Sequence, residues 1–370
     1  MRILVTGANG FIGQNLMLRL RSLPNFVVDT FFHSDPVTQL PLLVARADAV
    51  VHLAGVNRPL DHAEFVSGNV DLTQALVDAL RRDGRGLPVI YTSSTQAEHN
   101  NPYGQSKAQA EALLRGYAAA TQAAVHIYRL PNVFGKWCRP NYNSAVATFC
   151  HNIARDRPIK VNDPLAPLTL VYIDDVVDAF IQVLCSPASH ATSDFARVSV
   201  EYPTTVGEVA QLIGSFKSSR QNLVTERVGQ GLVRALYATY LSYLPTDAFA
   251  YSLVPHADVR GVFVEMLKTP DCGQFSYFTA HPGITRGGHY HHSKNEKFLI
   301  VRGTGRFGFR HMVSGEKIEL VVSSQTPQIV ETIPGWAHDI TNIGDEEMIV
   351  LLWANEIFDR EHPDTIASEV

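Results

Sequence analysis

The chain has 370 residues, of which 45% are hydrophobic and 18% charged, so it exceeds one ordinary core and can bury two. Its formal net charge of −5 comes without a basic cluster, which excludes nucleic acid as a main partner. No run approaches the roughly 20 apolar residues of a bilayer crossing, and Met1 leads straight into an apolar strand with no signal-peptide core, so a cytoplasmic protein without a membrane partner is expected.

Arg2 to Thr6 reads as a strand, Gly7-Ala8-Asn9-Gly10-Phe11-Ile12-Gly13 as a glycine turn, and Leu16, Leu18 and Leu20 mark a following helix. Such a turn lets backbone N–H groups approach a pyrophosphate, whose charge the positive end of the helix favours. Gly7, Asn9, Gly10, Phe11, Ile12 and Gly13 are therefore the first cofactor-binding candidates.

Further strands are predicted at Phe26 to Phe32, Ala47 to Ala54, Val89 to Ser94 and Val125 to Leu130. Their alternation with helical stretches implies βαβ units and a parallel sheet. The third strand runs out into Leu53-Ala54-Gly55, a small-residue turn past which a cofactor fits. Tyr103 and Lys107 are four apart and share a helix face; a lysine there lowers the phenol pKa towards the working pH, as a general acid requires, and bonds the nicotinamide ribose. Thr92-Ser93-Ser94-Thr95 ends the preceding strand, where a hydroxyl can hold a substrate carbonyl.

Beyond residue 205 a helix and a tyrosine-rich stretch lead to a boundary near residue 245, dividing the chain into 1–245 and 246–370. Short strands then dominate, at Gly261 to Leu267, Gln274 to Thr279, Lys297 to Val301, Arg306 to His311, Ile318 to Val322 and Met348 to Trp353. That pattern predicts an antiparallel barrel or sandwich. Within it, His289 and His291 on a strand would share one face about 6 to 7 Å apart along it, which suits two ligands of one metal. Cys138, Cys150, Cys185 and Cys272 lack paired spacing and are read as free thiols.

Gly7-x-x-Gly10-x-x-Gly13, His52-Leu53-Ala54-Gly55, Asn69, Ser93-Ser94, Tyr103-x-x-x-Lys107, Arg129-x-x-Asn132-Val-Phe-Gly135 and Tyr172-Ile-Asp174-Asp175 together resemble an extended short-chain dehydrogenase/reductase acting on nucleotide sugars. This implies a Rossmann-like, doubly wound parallel sheet. It also implies that Ser94 polarises the carbonyl, with Ser93 and Thr95 as rivals, that Tyr103 delivers the proton, and that Lys107 positions cofactor and phenol. His33, Leu53, Ala54, Gly55 and Asn69 join the cofactor set. The second strand ends Phe31-Phe32-His33-Ser34 without a ribose-binding acid, which favours NADPH over NADH, although an arginine for the 2′-phosphate is missing there too. Arg129, Asn132, Lys136, Tyr142 and Asn143 are candidate contacts to the sugar nucleotide.

The spacing Gly283-x5-His289-x-His291-x4-Glu296-x6-Gly303, with Pro334-Gly335-Trp-Ala-His338-x3-Asn342, resembles a cupin, whose second motif usually has one residue between its proline and glycine. The resemblance implies an all-β barrel and the ligand set His289, His291, Glu296 and His338 for one divalent metal, with zinc expected and iron, nickel or manganese compatible. His281 and His292 fall outside the pattern and are assigned to the surface. The pairing of the two domains is similar to the CapF/WbjC-type enzymes of bacterial capsule and O-antigen synthesis. That resemblance implies a homodimer that epimerises C3 of a UDP-2-acetamido-2,6-dideoxy-4-ketohexose in the cupin and reduces C4 in the other domain, towards UDP-N-acetyl-L-fucosamine. A competing reading is an NAD-retaining 4-epimerase or dehydratase beside a structural or sugar-binding cupin.

Overall fold

The computed structural model describes residues 1–59, 61–186 and 195–370. Two compact units emerge, one of residues 1–213 with 234–244, the other of 214–233 with 245–370. The tyrosine-rich stretch 237–244 thus belongs to the first unit, whereas residues 214–233 belong to the second.

The first unit runs β1 (Arg2–Thr6), α1 (Phe11–Arg21), β2 (Val27–Phe31), α2 (Leu40–Arg46), β3 (Ala49–His52), α3 (Ala63–Phe65), a π turn (Val66–Asp71), α4 (Leu72–Asp83), β4 (Val89–Ser94), α5 (Pro102–Thr121) and β5 (Val125–Leu130). The five strands are parallel in the order β2-β1-β3-β4-β5. The order reverses between β1 and β3, and the crevice outside the strand ends at such a switch point is where doubly wound sheets bind nucleotides. Leu4, Val50 and Val89 on the sheet pack with Leu76, Leu80, Leu114 and Tyr117 of α4 and α5. Strands buried on both faces explain why these runs are apolar rather than alternating.

Then come β6 (Asn132–Phe134), α6 (Ala145–Ile153), β7 (Pro167–Tyr172), α7 (Ile173–Cys185), β8 (Tyr202–Thr205), α8 (Val206–Asn222) and α9 (Gly231–Ser242), with β6, β7 and β8 in a separate small sheet.

The second unit is built from β9 (Pro255–Asp258), β10 (Gly261–Thr269), β11 (Gly273–Ala280), β12 (Thr285–Tyr290), β13 (Glu296–Arg302), β14 (Thr304–His311), β15 (Lys317–Ser323), β16 (Ile329–Glu331), β17 (Trp336–Asn342), β18 (Met348–Ala354) and β19 (Ile366–Ala367). They form two antiparallel sheets, β16-β13-β18-β11-β10-β9 and β15-β14-β17-β12-β19. Phe278, Phe298, Phe307, Phe309, Ile340 and Val350 meet between them as a core, so the all-β domain expected after residue 245 is present. Among the described residues, no helix is long and apolar enough to cross a membrane.

Candidate active sites

The glycine turn closes on the switch point. Gly7 has φ +72°, and a Cβ there would lie 2.6 Å from the Ala54 nitrogen and 2.9 Å from the Leu53 carbonyl carbon; one at Gly13 would lie 2.3 Å from Gly7 O. Only glycine satisfies both demands. Gly10 caps α1 without a side-chain hydrogen bond, leaving the first-turn N–H groups for an anion. A groove of about 460 Å³ opens beside this turn, lined by Ala8, Asn9, Gln14, Arg21, Phe32 and Trp137 among others. Phe11 and Ile12 are half-buried at the start of α1, and His33 is exposed past β2.

A buried relay holds the β3 exit. Ala54 N donates to Thr6 Oγ1 at 3.2 Å, Thr6 Oγ1 lies 2.7 Å from His52 Nδ1, and His52 Nε2 lies 3.0 Å from Thr73 Oγ1, which donates to Asn69 O at 2.6 Å. Because Thr73 gives its proton to a carbonyl, it accepts from His52 Nε2–H, and His52 Nδ1 then accepts from Thr6. His52 is neutral, its pKa pushed down to about 3 by burial and secondarily by the Lys107 charge. Asn69 clamps the same loop: Oδ1 accepts from Val56 N at 2.8 Å while Nδ2 donates to Val56 O at 3.0 Å and Ser106 Oγ at 2.9 Å. It sits 2.8 Å from where a Gly55 Cβ would be. Its amide is spent on the protein, so Asn69 ties the Gly55-Val56 loop to α5.

Tyr103 stands at the start of α5, which Asn101 caps by accepting from Gly104 N at 2.8 Å. A Cβ on Gly104 would lie 2.1 Å from Gln96 O, so glycine lets this turn approach the residues after β4. There Ser94, whose Oγ accepts from Gln96 N at 3.1 Å, lies near enough to Tyr103 to offset partly the rise in phenol pKa that burial causes. Ser93 instead donates to Glu111 Oε1 at 2.5 Å, and Thr95 is exposed, leaving Ser94 as the hydroxyl beside the phenol. The expected cation effect differs. Lys107 Nζ donates to Thr92 O at 2.6 Å and lies 4.4 Å from the Tyr91 ring centre, and burial lowers its pKa to about 7 against the pull of Glu111. The Tyr103 phenol is therefore raised, not lowered, because burial outweighs its polar partner.

Glu111, one turn beyond Lys107, was not a sequence candidate. It accepts from Arg129 Nε at 2.9 Å and Nη2 at 2.7 Å, and the Arg129 guanidinium stacks 3.6 Å from the Phe195 ring centre. That commits Arg129 to the scaffold. Lys136 pairs with Asp174 at 2.5 Å, Asn132 Nδ2 donates to Thr169 O at 3.3 Å, and Tyr142 donates to Asn57 Oδ1 at 2.8 Å; Asn143 is exposed.

In the second unit, His289, His291, Glu296 and His338 bring one donor atom each within 4.8 Å of one another. His289 on β12 faces His338 on β17, and Glu296 opens β13. His291 lies one residue past β12, which shifts register between Gly287 and His289. The two imidazoles thus meet through a bulged strand end rather than simple alternation, with centroids 5.0 Å apart. The turn with adjacent Pro334 and Gly335 is tied in by Gly335 N donating to His291 O at 3.0 Å. His281 and His292 are exposed.

The donor set fits a cation. His291 Nδ1 donates to the Asp364 carbonyl, so its bare Nε2 points at Glu296 Oε2 3.3 Å away. His338 Nε2 lies 3.5 Å from the same oxygen, buried without a hydrogen-bond partner. Acceptors facing one another need a cation among them. Burial opposes ionisation of Glu296, yet its carboxyl is held well below the usual range by His291 and His338 when either carries a proton at Nε2 in place of the metal, and by the Lys294 ammonium 3.0 Å from Oε1. Burial, with help from His338, lowers His289 to about 4. Asp364 completes the frame: its carboxylate accepts from the amides of His292, Ser293 and Lys294 at 2.9, 2.8 and 2.8 Å.

A profile of the NAD-dependent epimerase/dehydratase family matches residues 3–196, and one of the polysaccharide biosynthesis C-terminal domain matches residues 256–366. The chain is 55% identical to a UDP-2-acetamido-2,6-beta-L-arabino-hexul-4-ose reductase of Pseudomonas aeruginosa, over all of this chain and 99% of that protein. The crystal structure of the capsular polysaccharide assembling protein CapF from Staphylococcus aureus superposes with a TM-score of 0.92 at 43% identity, covering both chains completely. A UDP-glucuronic acid 4-epimerase from Bacillus cereus in complex with NAD covers 66% of this chain and 98% of its own at a TM-score of 0.56 and 19% identity, a likeness of fold.

Proposed function

The chain belongs to the NAD-dependent epimerase/dehydratase family and to its CapF-like branch, and from that membership we propose a bifunctional enzyme of nucleotide-sugar synthesis. Its substrate is a UDP-2-acetamido-2,6-dideoxy-4-ketohexose. The second unit epimerises C3, and the first reduces C4 to give UDP-2-acetamido-2,6-dideoxy-L-talose, on the route to UDP-N-acetyl-L-fucosamine for capsule or O-antigen. The observation that carries this reading is that one chain holds both the Ser94 and Tyr103 pair beside a glycine turn and a four-ligand cluster opening on a cavity.

At the first site, the bound nicotinamide cofactor supplies the hydride. Gly7, Gly10 and Gly13 bring backbone N–H groups to its pyrophosphate, and the Thr6, His52 and Asn69 relay fixes the opposing loop. NADPH is favoured because the groove wall carries Arg21 and no carboxylate among its described residues. Ser94 donates to the C4 carbonyl, Tyr103 delivers the proton to the forming alkoxide, and Lys107 restores that proton while holding the ribose. A phenol kept high by burial stays protonated until the alkoxide forms.

At the second site, His289, His291, Glu296 and His338 would hold a metal, zinc by their three imidazoles and one carboxylate, which would supply a Lewis acid for the 4-keto oxygen. The ketone makes the C3 proton acidic; epimerisation removes that proton to a base on one face of C3 and returns one from the opposite face, in the cavity onto which His289 and Glu296 open. Reduction at C4 then removes the ketone and locks the new configuration. NADPH consumption with this ketosugar by the wild type, lost by about 10²–10⁴-fold in Tyr103→Phe, tests the assignment; no consumption by wild type overturns it.

A further inference from the structure

The cavity beside the metal cluster has a volume of about 550 Å³, and its floor is a patterned piece of sheet. Glu296 on β13 pairs with Ala354 on β18, Ala354 with Gln274 on β11, and Gln274 with Lys268 on β10. Directly paired residues face the same side, and all four line the cavity. Leu352, Ser276 and Glu265 form the neighbouring row in the same way.

Strict alternation would send Glu265 and Lys268, three residues apart, to opposite faces. A β-bulge between Glu265 and Leu267 inserts the extra residue that turns Lys268 inward, as bulges beside functional sites do. Both main-chain groups of Lys268 are then pinned at 2.8 Å, the nitrogen to Leu223 O and the carbonyl by Thr225 N. Glu265 holds the ammonium at 3.0 Å, leaving donor capacity for a ligand. Arg360, also on the cavity wall, has a guanidinium with no partner among the described residues.

Lys268 stands three strands from Glu296, about 14 Å at the usual strand spacing. Both side chains rise from the same face of the sheet, so their tips lie on the order of 10 Å apart, the span of a hexose ring plus its first phosphates. We infer that Lys268 and Arg360 form a diphosphate subsite of this cavity, so that the C3 step acts on the nucleoside-diphosphate sugar and reads its phosphates as the cluster holds the ketone end. This rests on the cavity being the site of C3 epimerisation. Lys268 is a point charge suited to phosphate, and Arg360 supplies a fork that grips two oxygens. Neither touches the reacting atoms.

The test uses the zinc-loaded, full-length protein without NADPH, so that no reduction follows, and measures deuterium entry at C3 of the UDP-4-ketosugar with UDP as a competing probe. Lys268→Met raises KM about tenfold or more, the weight of one charge-assisted hydrogen bond, leaves kcat within about twofold, and weakens inhibition by UDP in parallel; Lys268→Arg restores both. Arg360→Ala, on an exposed segment, gives the same split without disturbing the sheet. Unchanged KM and UDP inhibition in Lys268→Met and Arg360→Ala, with wild type exchanging normally, overturn the subsite alone. No exchange by wild type overturns the C3 reading, and this inference with it.

Discussion

The main-chain carbonyl of Asp364 accepts the Nδ1 proton of His291 while the carboxylate of the same residue gathers three amides of the following loop. Asp364 therefore fixes both the tautomer of a candidate ligand and the path of the chain behind it. Such outer partners typically govern metal affinity by 10–100-fold. Asp364→Ala lowers zinc affinity by about that factor in a chelator competition, and Asp364→Asn, which keeps one acceptor oxygen, loses less. Equal affinities in all three proteins contradict the role.

Glu111 and Arg129 make a bidentate pair whose side chains are 5% and 20% exposed. Removing the Glu111 charge takes two charge-assisted hydrogen bonds from Arg129 and leaves it paired with the exposed Glu98 at 2.8 Å, at a cost of about 1–3 kcal/mol. Glu111→Gln shifts the denaturant midpoint of the first unit accordingly, whereas the exposed pair of Arg19 and Asp178 tolerates Asp178→Asn with little change.

Gly7→Ala must place a Cβ 2.6 Å from the Ala54 nitrogen at φ +72°. Backbone strain of about 1–3 kcal/mol falls on the Gly7 to Gly13 turn, so on the proposed reading NADPH affinity drops at least about tenfold in a fluorescence titration. Affinity for added zinc stays at the wild-type value.

His52 is held neutral, its pKa depressed from 6.5 to about 3. Below pH 6.5 the unfolded chain gains a proton that the folded chain refuses, so this group costs stability as pH falls from about 6.5 to about 3, with a limiting slope near 1.4 kcal/mol per pH unit. Above pH 6.5 it contributes no pH dependence. His52→Gln flattens the slope of unfolding free energy across that window; an unchanged slope shows that other groups set it.

Much of this was legible because its causes are local. The Gly7 to Gly13 turn, the face shared by Tyr103 and Lys107, and the His289 to Glu296 spacing each express a chain-local constraint. What escaped depends on register and on distant chain. Asp364 follows Glu296 by 68 residues and has no motif. The bulge that turns Lys268 inward leaves no spacing signature. Lys107 bonding Thr92 O rather than shifting the Tyr103 phenol follows from burial, which periodicity does not quantify. Glu111 was within reach, since it continues the i, i+4 series of Tyr103 and Lys107.

The most direct test of two chemistries in one chain is the reaction of the UDP-4-ketosugar with NADPH in D2O, followed by NMR of the sugar, for wild type, Tyr103→Phe and His289→Ala. Deuterium at C3 with no NADPH oxidation in Tyr103→Phe, and no deuterium at C3 in His289→Ala, are the predicted results. Loss of C3 exchange in Tyr103→Phe, or full exchange in His289→Ala, would contradict separate sites for the two steps.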